Sequence, residues 1–124
     1  MKLVDLRRVE TEPIDVYDSV RAFRSELAAG DGEAHFYFIR LEPGGGIGRH
    51  EAGFGQLFLV LAGSGWASGG DGKRVPISAG QGVWIARGEQ HEKGSETGLD
   101  ALIVQVRDLT PLPTGSDEPG SRGA

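Results

Sequence analysis

The chain has no cysteine among its 124 residues. That excludes disulfides, thiolate nucleophiles and Cys-ligated zinc, and it fits a reducing compartment. Long apolar runs are missing as well. The longest unbroken one, Leu57 to Ala62, is far too short to span a bilayer. The first ten residues carry acidic side chains where a secretory signal needs an apolar core. Basic charge is thin and scattered: 13 Lys and Arg stand against 18 Asp and Glu, for a net charge of −5. Duplex phosphates call for clustered basic residues, so the composition argues against a nucleic-acid partner. The expectation is a soluble cytoplasmic protein with no membrane and no nucleic-acid partner.

Glycine is what the chain has in excess, at 21 of 124 residues. The glycines follow no three-residue period, so a collagen-like chain is excluded. Scattered between short apolar runs, they predict tight turns joining many short strands. Strands are expected over 3–9, 35–41, 47–52, 54–62, 66–68, 73–77, 83–86 and 99–106. Turns are expected at 30–32, 43–46, 63–65, 69–72, 78–82 and 87–90. The stretch 18–29 reads two ways. Val20, Phe23 and Leu27 have helical spacing behind a capping Asp18 or Ser19, yet the same residues could form a strand. This many short strands predict an all-β sandwich or barrel, a single domain over 1–109. The Pro-, Gly- and Ser-rich tail, 110–124, is expected to be disordered. Residues 57–61 are apolar at both parities, which predicts that a second sheet or a homodimer partner covers the other face.

Chemistry has few places to reside. Residues 44–48 are glycine-rich, but a strand follows rather than a helix, so they read as a bend and not as a dinucleotide fingerprint. No serine has a histidine or carboxylate nearby that suggests a triad. The histidines say more. His50 and His91 each follow a glycine-bearing turn beside a strand, where binding residues project from a barrel mouth. Gly44 precedes His50 by five intervening residues. Ala52 follows, then Gln56 after three more and Gly63 after six more. Gly80 precedes Ala86 by five; Gly88, His91 and Ser95 follow with one, two and three residues between.

This spacing resembles the two motifs of the cupin superfamily, of the small single-domain, RmlC-like kind. The first motif is Gly, five residues, His-x-His, three or four residues, Glu, six residues, Gly. The second is Gly, five residues, Pro-x-Gly, two residues, His, three residues, Asn. The match spans 44–95, and it implies a double-stranded β-helix or jelly-roll barrel. It also implies a divalent transition metal (Fe, Mn, Ni or Zn) held by the motif side chains, which here are His50, Gln56 and His91. The departures are Ala52 for the second histidine, Gln56 for the glutamate, Ala86 for the proline and Ser95 for the asparagine. A set with no carboxylate offers a dication no charge and predicts weak metal binding. Glu51 or Glu92 could restore one only if a bulge reversed its direction, since each lies one residue from a histidine. Phe58 is expected to wall the pocket, with Phe54 at its rim; Trp84 and His35 are further candidates.

Four functions stay open at this point. One is a barrel that binds a small organic ligand, with metal optional. A second is a metal-dependent oxygenase or isomerase. A third is a metal-free enzyme with His50 or His91 as general base. The last is a structural dimerisation module. Inward-facing polar residues argue against the last, because burying unpaired polar groups destabilises a core.

Overall fold

The structure, a computed structural model, describes residues 1–112. The strands are β1 (Lys2–Asp5), β2 (Glu12–Pro13), β3 (Phe23–Arg24), β4 (Ala28–Leu41), β5 (Gly46–Glu51), β6 (Gly55–Ser68), β7 (Arg74–Ser78), β8 (Gln81–Ile85), β9 (Gln90–Gly94) and β10 (Leu99–Pro111). Among the described residues there is no helix, so none is long and apolar enough to cross a membrane. One sheet runs β1-β8-β6-β10-β4. A second is built from β5, β9, the later half of β6, and β7. All pairings are antiparallel. This is the all-β, two-sheet jelly-roll barrel that the sequence implied.

β6 is the strand shared by both sheets, and it explains an expected turn that does not form. Residues 63–65 continue the strand instead of reversing it. The register slips around Leu61, where Asp100 pairs with Ala62 but Ala101 pairs with Val60. A bulge bends a strand and raises its twist, and here it carries β6 from one sheet into the other. Gly63 sits at φ 79° in that bend. A Cβ there would lie 2.3 Å from the Gly98 carbonyl, so the chains can approach only as glycine. The turn expected at 30–32 is also absent. Those residues lie within β4, where two residues oppose one of β10 between the Val106 and Asp108 pairings. Glycine chemistry signals both turns and bulges, and here it made bulges.

The ambiguous stretch 18–29 holds no helix. Tyr17, Asp18 and Arg21 adopt left-handed φ of 61°, 55° and 50°, which breaks a helical turn at its start. Its only regular pieces are β3, paired with β2, and the first residues of β4. At the other end, β10 continues to Pro111, past the boundary expected at residue 109, and the Leu112 amide donates to the Leu27 carbonyl. Most of the tail expected to be disordered, 113–124, lies outside the described residues.

Alternation along the strands makes two cores. Between the sheets lie Leu41, Ala52, Phe58, Val60, Ala67, Ile77, Val83, Ile85, Leu99, Ala101 and Ile103. On the outer face of the first sheet Val4, Leu57 and Trp84 form a smaller cluster, with Leu6, Val9, Leu27 and Leu109 packed against it. Beyond that cover Phe36, Phe38 and Leu61 stay exposed.

Candidate functional site

The site forms where β5, β9 and β6 meet inside the barrel. β5 and β9 pair so that His50 stands directly opposite His91. A register shift lies between Ile47, which packs on the inner core, and His50, which is exposed with its ring against that of His91. The two imidazole rings lie 4.3 Å apart, centre to centre, tilted by 54°. β9 itself was not legible as a strand, because Gln-His-Glu-Lys-Gly has no apolar alternation. Its alternation is polar: His91 and Lys93 are buried, and Glu92 between them is half-buried and pairs with Arg49.

Lys93 is the residue that motif reading missed. It is 1% exposed. Its Nζ donates to Gln56 Oε1 at 2.5 Å, lies 2.9 Å from His91 Nδ1, and sits 4.9 Å from the centre of the Phe58 ring. The available signal was period two: a lysine two residues after an inward histidine on a strand shares its face. Gln56 and His91 are therefore brought together through the lysine amine, and Phe58 forms its apolar wall.

Burial sets the electrostatics. Desolvation pushes Lys93 from 10.5 down to about 7. His91 is pushed from 6.5 down to about 4, first by burial and then by the nearby Lys93 and His50 charges. His91 is thus neutral at neutral pH. Its Nε2 is buried with no hydrogen-bond partner among the described residues. His50 is exposed; its Nδ1 donates to the Gly48 carbonyl at 2.8 Å. No carboxylate enters the site. Glu51 is exposed opposite Gln90, Glu92 holds Arg49, and Glu89 holds the Met1 ammonium. The bulge in β5 did not restore an acid.

Such a donor set does not fit a resident dication. The His91 Nδ1 and Gln56 Oε1 lone pairs are already taken by one amine, which leaves the proton of neutral His91 on Nε2, and Ala52 supplies nothing. An ammonium repels each unit of positive charge about 4 Å away by roughly 4 kcal/mol at an effective dielectric near 20. Glu89 offsets part of that at His91, but its carboxylate is held by the Met1 ammonium. Among the described residues no group of three or more His, Asp or Glu is placed to hold a metal.

The remaining candidates separate. Trp84 does not join the site: it pairs with Leu57 and faces the outer cluster, while Val83 beside it pairs with Phe58 and faces in. One residue of parity decides this. Phe54 is half-buried, and its ring stacks on His35 at 6.0 Å; His35 stacks in turn on Tyr37 at 6.3 Å. His35 is in register with Gln105, and Gln105 with Gln56, so these rings form a shelf on the same inner face, two strands from the lysine. Ser95, at the asparagine position of the motif, donates to the Ser64 carbonyl and accepts from the Gly98 amide, a structural clasp. A cleft of about 380 Å3, lined by residues 44–48, Trp66, Arg74 and residues 92–96, is bordered by Lys93 but includes neither histidine; the Arg74 guanidinium lies 3.7 Å over the Trp66 ring.

Comparison with known proteins agrees with this architecture. The profile of the AraC-like ligand binding domain matches residues 33–107. An (R)-mandelonitrile lyase from Granulicella tundricola is 35% identical over 71 residues, which are 56% of this chain and 54% of that protein. The chain thus spans about half the length of that curated relative. A predicted oxalate decarboxylase from Thermotoga maritima superposes with a TM-score of 0.54 and 32% identity, over 58% of this chain and 64% of its own. A cupin-2 domain protein from Shewanella frigidimarina, at 20% identity and a TM-score of 0.53 over 64% of this chain and 76% of its own, is alike in fold.

Proposed function

The chain belongs to the AraC-like ligand binding domain family of cupin barrels, and from that premise we propose that it binds a small organic anion at the barrel mouth. One observation carries the reading: the Lys93 amine is buried and meets no carboxylate among the described residues. A buried cation without a counter-charge is costly, and an incoming carboxylate supplies the missing charge. Lys93, His91 and Gln56 form the polar floor, exposed His50 marks the entrance, and Phe58 is the wall. The shelf of His35, Tyr37 and Phe54 offers apolar surface to the rest of the ligand. Pockets of this kind join apolar walls to a few placed polar groups. The alternative, general-base catalysis by His91, is disfavoured by its low proton affinity, since a base works best when its pKa lies near the operating pH.

The test is calorimetric titration of a panel of small carboxylates into tag-free protein. The double variant His50→Ala, His91→Ala is expected to keep its fold and to weaken the best ligand by roughly 100-fold, as for the loss of two polar contacts of about 1.4 kcal/mol each. A double variant that binds as tightly as the parent would place the pocket elsewhere.

We propose also that the partner is a second copy of this chain. β4 is a 14-residue edge strand, and the sheet face beside it exposes Phe36 and Phe38. The same face carries Arg40 paired to Asp100, so it presents both signs of charge to a twofold copy of itself. Bare edges of this length are ordinarily paired or blocked. Sedimentation velocity is expected to give a dimer for the parent and a monomer for Phe36→Glu, Phe38→Glu; a monomeric parent at about 100 μM, a hundredfold above a typical 1 μM dissociation constant, refutes the dimer.

A further inference from the structure

We propose that the pocket selects aryl acids that carry a hydroxyl or oxo group on the linker between carboxylate and ring, and that Gln105 is the residue that reads that group. The inference rests on the ligand function proposed above, with the carboxylate at Lys93, and deepens it.

Three inner-face side chains stand in one row across the first sheet. Gln56 of β6 is in register with Gln105 of β10, and Gln105 with His35 of β4. Residues directly opposite on antiparallel strands share a face. Neighbouring strands lie about 4.8 Å apart, so the row is about 10 Å long. It runs from the interior to the rim: Gln56 is 3% exposed and accepts from the Lys93 amine, whereas Gln105 and His35 are half-buried. The two ends differ in charge. The amine stands at the inner end. At the outer end His35 Nε2 lies 2.5 Å from Glu33 Oε2, so an acid already occupies that side and repels a second one. An anionic ligand lying along the row therefore points its carboxylate inward.

The outer end is aromatic. The His35 ring is within 17° of parallel to those of both Tyr37 and Phe54. Tyr37 is 47% exposed, although its strand partner Ile103 lies in the inner core. Exposed, nearly parallel rings suit a flat aromatic partner. Benzoate is too short to join such a ring to the amine across two strand spacings, and a linker of about two carbons reaches. That linker passes Gln105, whose side-chain amide makes no hydrogen bond among the described residues. A half-buried amide without a partner adds nothing to the fold, yet it offers a ligand both donors and an acceptor. A hydroxyl or oxo group on the linker meets it. A bare methylene linker leaves it desolvated and unpaired, which is how a polar pocket rejects an analogue lacking the group.

Calorimetric titration of the full chain with benzoate, hydrocinnamate and phenyllactate tests this. The parent is expected to bind the better enantiomer of phenyllactate about 10-fold more tightly than hydrocinnamate, the equivalent of about 1.4 kcal/mol, and benzoate most weakly. Gln105→Leu is expected to bring the ratio of phenyllactate to hydrocinnamate affinity to about 1, because the hydroxyl then has no partner. Gln105→Met serves if the leucine variant does not fold by circular dichroism. A parent that binds hydrocinnamate and phenyllactate equally overturns the inference, and so does a folded Gln105→Leu protein that keeps the preference. In both cases carboxylate binding persists and the ligand reading stands. If none of the three acids binds, or if all bind Lys93→Met as they bind the parent, the ligand reading falls and this inference falls with it.

Discussion

Lys93→Met is expected to stabilise the fold at neutral and mildly acidic pH and to destabilise it near pH 10. The crossing follows from two opposed terms. Burial lowers the Lys93 pKa from 10.5 to about 7, which at about 1.4 kcal/mol per tenfold change corresponds to roughly 5 kcal/mol against the charged form in the fold. Below pH 7 the lysine is protonated in both the folded and the unfolded chain, so the fold bears this cost in full. Between pH 7 and 10.5 the unfolded chain binds the extra proton, and parent stability rises with pH. Above 10.5 the cost is gone. Methionine fills similar space without charge and never bears it. It does, however, leave Gln56 Oε1 and His91 Nδ1 without their shared partner, at about 1–3 kcal/mol. The variant should therefore be more stable by about 2 kcal/mol near pH 6.5, and less stable by a similar amount near pH 10. Around 100 residues, 2 kcal/mol shifts the melting temperature by roughly 8–16 °C. His91 titrates below pH 6.5 in both proteins, so the comparison belongs above that point. Parallel melting curves from pH 6.5 to 10 would mean that Lys93 keeps an ordinary proton affinity and is not enclosed.

That lysine also marks where the sequence stopped being informative. The barrel was legible because Leu57, Phe58, Leu59 and Val60 are apolar at both parities, and because glycines divide the other runs into strand lengths. The first holds, since Phe58 and Val60 enter the inner core and Leu57 joins the outer one; the second fails at 30–32 and 63–65, where the strands run on. His50 and His91 were found through spacing to their flanking glycines, and they do meet. Strand parity alone cannot link His50 to Gln56. β5 carries a bulge and ends at Glu51, four residues before β6 begins, so counting cannot cross that gap. Trp84 was misplaced by a single step of alternation, in a strand, β8, that is buried on both faces from Gly82 to Ile85. Period-two reasoning has no purchase where both faces are apolar. Lys93 was missed for the opposite reason. A lysine is by default a surface residue, and no apolar neighbour on β9 advertised which way it points. Glu51 and Glu92 show the same limit from the other side, since a backbone bulge was the condition for restoring a carboxylate. One is present in β5, yet Glu51 stays exposed.

Gly82→Ala is expected to be among the most damaging single substitutions in the chain, although it adds one methyl group. β8 lies between β1 and β6, with Gly82 opposite Val4 on one side and Leu59 on the other. A Cβ at residue 82 would sit 2.2 Å from the Phe58 carbonyl oxygen and 3.0 Å from the Leu59 Cα. Both are backbone atoms of the central strand, so no side chain can rotate away to make room. Relief requires β8 to part from β6. That ladder holds Val83 against Phe58 and Ile85 against Gln56, so the strain reaches the amide that accepts from Lys93. Overpacking of this kind costs about 3 kcal/mol or more when the neighbours cannot shift, a fall in melting temperature of roughly 15 °C or more. Gly70→Ala is the matched control. It has no atom within 4 Å of the added Cβ and no left-handed φ, and should change stability by less than about 0.5 kcal/mol. Thermal melts of the two variants beside the parent decide the matter. If Gly82→Ala melts within a few degrees of the parent, β6 and β8 are not in the close register described, and the placement of Gln56 beside Lys93 loses its support. If it unfolds as expected while Gly70→Ala does not, the glycine at residue 82 is a packing requirement of the barrel wall on which the polar site is built.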